Sequence, residues 1–465
     1  MNRDEPNLSV MQTLKTTLIS VVLTALLGCS PRVANLTLPI ETPDTFSVAG
    51  DLARTDQWWT AFGDAKMDTL VDTALKSNFS LESAWHRLSG AQAIVDRESS
   101  SLFPNLEGFF GGEIERSDSA DEKTLRLGLS SEFELDLWGR IRSGIDAERY
   151  RARASRADYQ TAALTLSAEV VRTWYGLMVA RNQLDLFQQQ IETNEKVLSL
   201  IRTRLGSGQV RSVDILRQKQ LIEATREQKL SAESRLQVLE HQLAVLLGRP
   251  PQEKIQYIHN PLPGLPPLPD TGLPTELIQR RPDVQKAYGL LRASDRDLAV
   301  AVTNRYPRLT LSASASSTSD GLSGLGDDWI RNFTSGLLAP IFNAGELGAE
   351  VDRNRAAKNE SLAEYGQTVL TAFQEVENAL IQEKKQGERI RSIEMQVQLV
   401  RQTYAQLRLE YLNGLSDYLD VLVALTNEQR LQRDLIFAKG ILLEYRISLY
   451  RALAGGFETE RDITE

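Results

Sequence analysis

The chain has 465 residues, of which 42% are hydrophobic, and its formal net charge is −9 at pH 7. The negative charge and the lack of a concentrated Lys/Arg run argue against a nucleic-acid partner. The length is sufficient for a large core or several units, and the single cysteine, Cys29, has no second thiol with which to form a disulfide or a redox pair.

The N-terminus resembles a secretory signal. A short apolar run follows Lys15, too short to span a bilayer, and it ends in Leu-Leu-Gly-Cys at Cys29. This ending resembles the lipobox of bacterial lipoproteins, in which the cysteine is lipidated. Residues 1–28 are therefore predicted to be a lipoprotein signal peptide and Cys29 the lipidation site; the alternative is a chance cysteine after an apolar segment. Because Asp4 and Glu5 are unusual in a signal, translation starts at either Met1 or Met11.

A Pro- and Thr-containing tether over residues 29–66 is predicted to follow, and helical spacing begins at Met67. Beyond the signal, the sequence contains no apolar run long enough for a membrane helix. If the chain crosses a membrane, strands must provide the crossing.

The rest of the chain is predicted to be a tandem repeat. Pro104-Asn-Leu returns as Pro307-Arg-Leu 203 residues later, whereas Gly139 returns as Gly345 206 residues later. A length difference of three residues in one loop explains the change of offset. The first repeat is predicted to span residues 67–248 and the second residues 275–456. A Pro-rich linker over 249–274, interpreted as a spacer, joins them, and a C-terminal tail follows over 457–465.

Each repeat contains two runs in which apolar and polar residues alternate. They span about 105–115 and 124–137 in the first repeat, and about 308–318 and 331–342 in the second. Amphipathic strands of about ten residues are typical of a membrane barrel wall. Two amphipathic hairpins on a soluble core are the alternative that the pattern leaves open.

Long helices are predicted to follow the strands, over about 143–205 and 346–412, with return helices over about 212–248 and 416–454. From Ile390 to Tyr411 apolar residues recur at alternating spacings of three and four, and the equivalent positions of the first repeat match except for Asn194. This spacing predicts coiled-coil packing.

The tips of the two predicted hairpins lie near 206–212 and 412–417. Gly208 and Gly414 allow the backbone to reverse where a helix ends. Asp214 and Asp420 follow six residues later, in the first turn of the return helix, where a negative charge suits the helix dipole.

These features together resemble the TolC-like family of outer-membrane efflux factors, and within it the lipoprotein, NodT-type branch that works with RND pumps. The residues that carry the resemblance are Trp58-Trp59, Arg281-Pro-Asp-Val284, Asp136-Leu-Trp-Gly-Arg140 and the paired Gly/Asp returns. The resemblance implies an α+β membrane protein: a homotrimer with a twelve-stranded barrel in the outer-membrane lipid and a helical tunnel across the periplasm. It also implies two partners, a periplasmic membrane-fusion adaptor and an inner-membrane RND-type pump. A separate argument also supports three copies, because a sheet in lipid must close into a barrel. Two copies of four strands would give an eight-stranded barrel, whose interior is filled by its own side chains.

Several tip residues are candidates for a periplasmic gate. Asp417 matches the region where the family carries an acidic constriction, and three copies would form a negative ring that admits cations; a plain N-cap is the alternative. Asp214 and Asp420 are expected to cap helices or to pair locally. Arg211 and Tyr418 are candidates for hydrogen bonds between neighbouring hairpins.

No enzyme motif is found in the sequence, and the three histidines, His86, His241 and His259, show no metal-ligand spacing. The expected function is therefore a passive exit duct for small molecules such as drugs, toxic compounds or metal ions, with no catalytic residue, cofactor or metal. The alternatives are a duct for type I protein secretion and a coiled-coil envelope lipoprotein without a channel.

Overall fold

The computed structural model describes residues 39–52, 56–116, 121–253, 262–459 and 461. The predicted signal peptide, Cys29 and the first part of the tether lie outside these residues. The chain divides into two compact units. The sheet unit comprises residues 87–156 and 286–367 with the described residues before 41, and the helical unit comprises residues 41–86, 157–285 and 368 onward.

Four strands lie in the sheet unit: β1 Glu107–Arg116, β2 Asp121–Leu135, β3 Arg308–Ser319 and β4 Trp329–Leu338. The α-helices in the described residues are α1 Ala65–Ser77, α2 Phe79–Ser99, α3 Arg140–Gly206, α4 Ser212–Leu246, α5 Pro274–Arg280, α6 Pro282–Thr303, α7 Glu346–Leu412 and α8 Tyr418–Leu453. Short 3-10 helices span Trp58–Phe62, Ser100–Leu102 and Leu322–Gly324. Across the described ranges, no helix combines the length and the apolar character that a membrane span requires.

Two strands end earlier than the alternation predicts. β2 ends at Leu135 rather than at residue 137, because the Asp136 carboxylate accepts the backbone N–H groups of Ile141 and Arg142, each at 3.0 Å, and thereby caps α3. β4 ends at Leu338 rather than at residue 342, since Pro340 has no N–H to donate to a ladder. At their other ends, both strands begin a few residues earlier than predicted, at Asp121 and Trp329.

The strands form one antiparallel sheet in the order β1-β2-β3-β4. Among the residues that the structure describes, the outer strands β1 and β4 each have one unpaired edge, and every residue of β1 is exposed.

The two faces of this sheet differ in character. Residues opposite each other in a ladder share a face, so Leu127, Phe110 and Ser317 lie on one side. That side also carries the apolar residues Ile114, Leu125, Leu129, Phe133, Leu311 and Phe333. The other side carries the carboxylates Glu107, Glu113, Glu115, Glu122, Glu132 and Glu134. The alternating runs predict this segregation, but it is not complete: Arg116 and Arg331 lie on the apolar side together with Ser131, and Phe109 and Ile330 lie on the carboxylate side.

α3 and α7 are the longest elements and have the same length, 67 residues each. At a rise of 1.5 Å per residue, each would measure roughly 100 Å if straight. Residues at the predicted heptad positions are buried: Ile390, Ile393 and Val397 of α7 pack against Leu431 and Ala438 of α8. In the second hairpin, the coiled-coil spacing therefore describes how the rod packs against its return helix.

The core of the helical unit is rich in aromatic residues. Trp58 and Trp59 are almost fully buried, and the Trp58 indole N–H donates to Ser167 Oγ at 3.3 Å. The Trp174 indole N–H donates to the Asp64 carboxylate at 2.8 Å, and Asp64 also caps α1. Because the indole N–H groups of Trp58 and Trp174 have partners, these two large residues add apolar burial without leaving those donors unsatisfied.

The Arg-Pro-Asp segment ties the start of the second repeat to the end of its last helix. The Arg281 guanidinium bonds both Asp283 oxygens at 3.0 and 2.6 Å and the Glu375 carboxylate at 2.8 Å, and it donates to the Ala452 carbonyl at 3.3 Å. The first repeat makes the same tie with a shorter side chain, since the Asn78 amide donates to the Leu246 carbonyl at 3.0 Å. Asn78 and Arg281 are equivalent positions, and so are the two carbonyls.

The Pro-rich linker, predicted to be a spacer, is hydrogen-bonded to neighbouring segments in its described second half. Leu52 N–H donates to the Leu268 carbonyl at 3.2 Å, and Asp270 N–H donates back to the Leu52 carbonyl at 2.9 Å. Arg446 of α8 donates to the Pro267 carbonyl at 2.9 Å. Because prolines supply carbonyl acceptors but no N–H groups, this segment is well suited to being held by donors from its neighbours.

Candidate functional site at the hairpin tips

Both long hairpins turn in the same way. Gly208 and Gly414 have φ values of 71° and 75°, the left-handed conformation that favours glycine. Gly208 N–H donates to the Leu205 carbonyl at 3.0 Å and Gln209 N–H to the Arg204 carbonyl at 3.0 Å, and the equivalent bonds of the second tip measure 3.1 and 2.8 Å. This is the Schellman arrangement, which satisfies the last carbonyls of each rod and sets the direction in which the chain leaves it.

At the first tip the return helix begins with a locally paired acid. Asp214 is buried, and its carboxylate accepts the backbone N–H of Arg211 at 3.3 Å and a bond from Arg217 at 3.2 Å. The Arg211 guanidinium lies 3.7 Å from the same carboxylate. Arg211 therefore contacts its own hairpin, and the predicted bond from Arg211 to a neighbouring hairpin is not found within the described residues of this chain.

At the second tip the acids are exposed. Asp420 accepts a bond from Ser416 Oγ at 3.3 Å. Asp417 occupies the N-cap position of α8, but its side chain makes no capping hydrogen bond. The backbone position matches the N-cap alternative, whereas the carboxylate does not cap the helix.

The two tips of one chain are joined by Arg204, which the sequence interpretation missed. Its guanidinium lies 4.9 Å from the centre of the Tyr411 ring and donates to the carbonyls of Tyr411 at 3.1 Å and Leu412 at 2.9 Å. These are terminal carbonyls of α7, so the cation meets both the ring face and the negative end of the helix dipole. Arg204 corresponds to Glu410 in the second repeat. This opposite charge at equivalent positions of the two repeats is the sequence feature that could have pointed to Arg204.

A second link between the hairpins runs through buried polar groups. The Tyr418 hydroxyl donates to the side-chain oxygen of Gln218, whose amide donates to the Asn194 carbonyl at 2.8 Å. The Asn194 and Gln429 side-chain amides bond each other reciprocally at 3.2 and 2.9 Å. Asn194 is the polar exception in the predicted heptads, and a buried amide at a core position fixes the register between helices.

Burial keeps the tip phenols protonated. It raises the pKa of Tyr418 well above its usual range, and it also raises the pKa of Tyr404 and Tyr411. Tyr418 therefore remains a hydrogen-bond donor toward Gln218 throughout the physiological pH range.

Replacing Tyr418 by Phe should loosen this link, because it leaves the fully buried Gln218 oxygen without its donor, at a cost of about 1–3 kcal/mol. The measurement is amide hydrogen exchange over residues 212–225 of the purified protein in detergent, where protection should fall. Tyr404→Phe is the matched control, since no hydrogen bond of its hydroxyl is found in the described part of the chain. Equal protection in both variants would show that the bond contributes nothing at the tip.

An open cleft of about 590 Å³ lies between the two tips. Its lining brings together Arg204, Arg211, Asp214, Asp417 and Tyr418 with both turns. The site is thus a polar surface with both signs of charge at the end of the hairpins. Throughout the described ranges, no group of three or more His, Cys, Asp or Glu side chains is arranged to hold a metal ion.

Comparison with known proteins gives matches over nearly the whole chain. The family described as outer membrane efflux protein matches residues 70–249 and 273–455. The pyoverdine export outer membrane protein OpmQ of Pseudomonas aeruginosa is 29% identical over 419 residues, which cover 87% of this chain and 88% of the relative. The cation efflux system protein CusC of Escherichia coli O6:H1 is 27% identical over 458 residues, 93% of this chain and 97% of the relative.

The fold is also that of a solved channel. The outer-membrane channel OprN superimposes with a TM-score of 0.83 at 27% identity, covering 90% of this chain and 99% of OprN.

Proposed function

Because the chain belongs to the outer membrane efflux protein family, we propose that three copies of it form the exit duct of a tripartite efflux system. The family match confirms the predicted resemblance, the outer-membrane location and the efflux function, and the likeness to OprN confirms the predicted fold class. The number of copies, the lipid anchor, the roles of the tip residues and the cargo are proposals.

The observation that carries the three-copy duct is the sheet with two free edges. One chain supplies four strands with an apolar and a carboxylate-bearing face, and β1 and β4 are each ten residues long. In lipid an unpaired edge costs several kcal/mol per backbone group, so the sheet must close on other copies. Twelve strands give a wall that encloses a lumen, with the apolar face toward lipid and the carboxylates toward water.

The remaining parts of the system follow from the same arrangement. The duct has no energy source of its own, so an inner-membrane RND-type pump drives export through a periplasmic adaptor that meets the hairpin tips. Lipidation at Cys29 anchors the N-terminus in the same membrane as the strands. The cargo is a small molecule; the relatives named for pyoverdine and for cations show how different the cargo of similar chains is.

At the tip, Asp417 is proposed as the constriction residue. Its carboxylate is exposed and makes no cap bond, and three copies around an axis would bring three such charges together. A ring of carboxylates attracts cations and opposes anions. Gly208 and Gly414 shape the two turns, Asp214 and Asp420 hold the first turns of the return helices, and Arg211 and Tyr418 support the surface beside the ring.

Conductance in planar bilayers tests both the duct and the ring. The purified protein should have the mass of three chains in detergent and should conduct ions. The Asp417→Ala variant should lower the cation-to-anion permeability ratio by about twofold or more at 0.1 M salt, where the screening length is about 10 Å. Asp434→Ala, which removes the same charge from α8 away from the tip, is the control and should leave the ratio unchanged. A conducting Asp417→Ala protein with unaltered selectivity would remove Asp417 from the gate, and a non-conducting monomer would overturn the duct.

A further inference from the structure

We propose that β4 pairs with β1 of a neighbouring copy in one defined register, in which Phe333 lies opposite Ile114 of the neighbouring copy and Leu337 opposite Phe110. This inference rests on the proposed three-copy assembly and goes beyond it by stating which residues meet at each seam. The chain itself contains the pattern from which the register follows.

The internal repeat extends to the individual rungs of the sheet, that is, to the single pairs of residues that lie opposite each other on neighbouring strands. β3 corresponds to β1 at an offset of 203 residues and β4 to β2 at an offset of 206, as the sequence motifs require. Each rung of the first hairpin then has an equivalent rung in the second. Two such equivalences are Glu107–Ser130 with Thr310–Gly336, and Ile114–Lys123 with Ser317–Trp329.

The β2–β3 ladder is the template for the seam, because it joins the last strand of one repeat to the first strand of the next. In a closed ring of repeats, β4 meets the following β1 at the equivalent junction. Leu127 pairs with Ser317, and moving both by the repeat offsets gives Phe333 opposite Ile114. Ser131 pairs with Ala313, and the same shift gives Leu337 opposite Phe110.

The faces of the two strands agree with this register. Phe333 and Leu337 lie on the apolar face of β4, and Phe110 and Ile114 lie on the apolar face of β1. All four are exposed in the single chain, by 75%, 69%, 64% and 61% respectively. A slip of one residue would bring the apolar face of one strand onto the carboxylate face of the other.

A register shifted by two residues keeps the apolar faces of β4 and β1 on the same side, but it no longer places large apolar side chains opposite each other. Such shifts would place Phe333 opposite either Gly112 or Arg116, and Leu337 opposite either Gly108 or Gly112. The proposed register instead pairs the large apolar residues with each other, which is the favourable cross-strand arrangement.

On the carboxylate face, the register places Thr334 opposite Glu113 and Asn332 opposite Glu115, so each glutamate meets a neutral polar residue. On the apolar face one rung pairs like charges, Arg331 opposite Arg116. It is the last rung of the seam, because Arg116 is the final residue of β1. Residues 331–338 would thus pair with residues 109–116.

Disulfide trapping tests the register in the full-length protein. Thr334→Cys combined with Glu113→Cys places two thiols on directly opposite residues, whose Cα atoms lie about 4.5–5.5 Å apart in an antiparallel pair, within disulfide range. Oxidation should yield covalent species up to the mass of three chains in non-reducing denaturing electrophoresis. Phe333→Cys with Ile114→Cys should do the same on the adjacent rung, and the single variants should not.

The controls shift one partner by two residues. Thr334→Cys with Glu115→Cys, and Thr334→Cys with Gly111→Cys, place the thiols on diagonal neighbours about 7–8 Å apart, too far for a disulfide. A three-chain mass in detergent with trapping at a shifted pair, or at no pair, would overturn the register while leaving the three-copy duct intact. A monomeric mass would overturn the duct, and the register with it.

Discussion

Replacing Arg446 by Ala should destabilise the folded protein by about 3–5 kcal/mol, because it leaves a largely buried carboxylate without its charge partner. Arg446 lies on α8 with 5% of its side chain exposed, and Glu383 of α7 has 14% exposed. The guanidinium bonds both carboxylate oxygens, at 2.7 and 2.6 Å, and also donates to the Pro267 carbonyl at 2.9 Å. One side chain thus joins two helices of the second hairpin to the linker between the repeats.

The matched control is Arg430→Ala in the same helix. Arg430 pairs with Asp434 at 2.8 Å, but both side chains are about half exposed, and such pairs contribute about 1 kcal/mol or less. Chemical unfolding in detergent should therefore show a much lower midpoint for Arg446→Ala than for Arg430→Ala. The double variant Arg446→Met/Glu383→Leu should recover part of the loss, since no charge is then left buried. Equal midpoints for the two single variants would mean that the buried pair does not hold this junction.

A second large effect is expected from Gly248→Ala, at the end of α4. Gly248 has a φ of 70°, and a Cβ added there would lie 2.3 Å from the backbone oxygen of Ser77 at the end of α1. The left-handed conformation alone costs a non-glycine residue about 1–2 kcal/mol, and forcing an atom into a packed contact adds about 1–3 kcal/mol. The expected loss is therefore about 2–5 kcal/mol.

Gly63→Ala separates the two contributions. Gly63 has nearly the same φ, 67°, but a Cβ there would meet nothing within 4 Å. The control should show only the conformational cost, about 1–2 kcal/mol. The difference between the unfolding midpoints of the two variants gives the cost of the contact with Ser77. If the midpoints coincide, the close approach of α4 to α1 contributes nothing to the free energy of unfolding.

Most of the fold could be predicted from the sequence because its signals are periodic. The heptads and the repeat offsets depend only on spacing, and α7 begins and ends at the predicted residues, Glu346 and Leu412. The ends of β2 and β4 were less predictable, because the Asp136 carboxylate and the missing N–H of Pro340 act outside the alternation.

The tip could be predicted only in part, for a related reason. The glycine and aspartate spacing is local, so it predicts the turns and the acids beside them. Arg204 and Gln218 act on residues about 200 positions away in the chain, and spacing predicts the face on which a residue lies but not its partner. Asn194 was visible as a polar residue in an apolar stripe, and only the structure shows that Gln429 pairs with it.

The equal length of α3 and α7 constrains how such a chain can evolve. Both rods have 67 residues, and their far ends touch through Arg204, Tyr411 and Leu412. An insertion in one rod alone would carry its turn past that of the other and separate these groups. Mutations that alter the reach of the protein across the cell envelope should therefore persist only as matched pairs, one in each half of the gene, and in multiples of about seven residues that preserve the heptad.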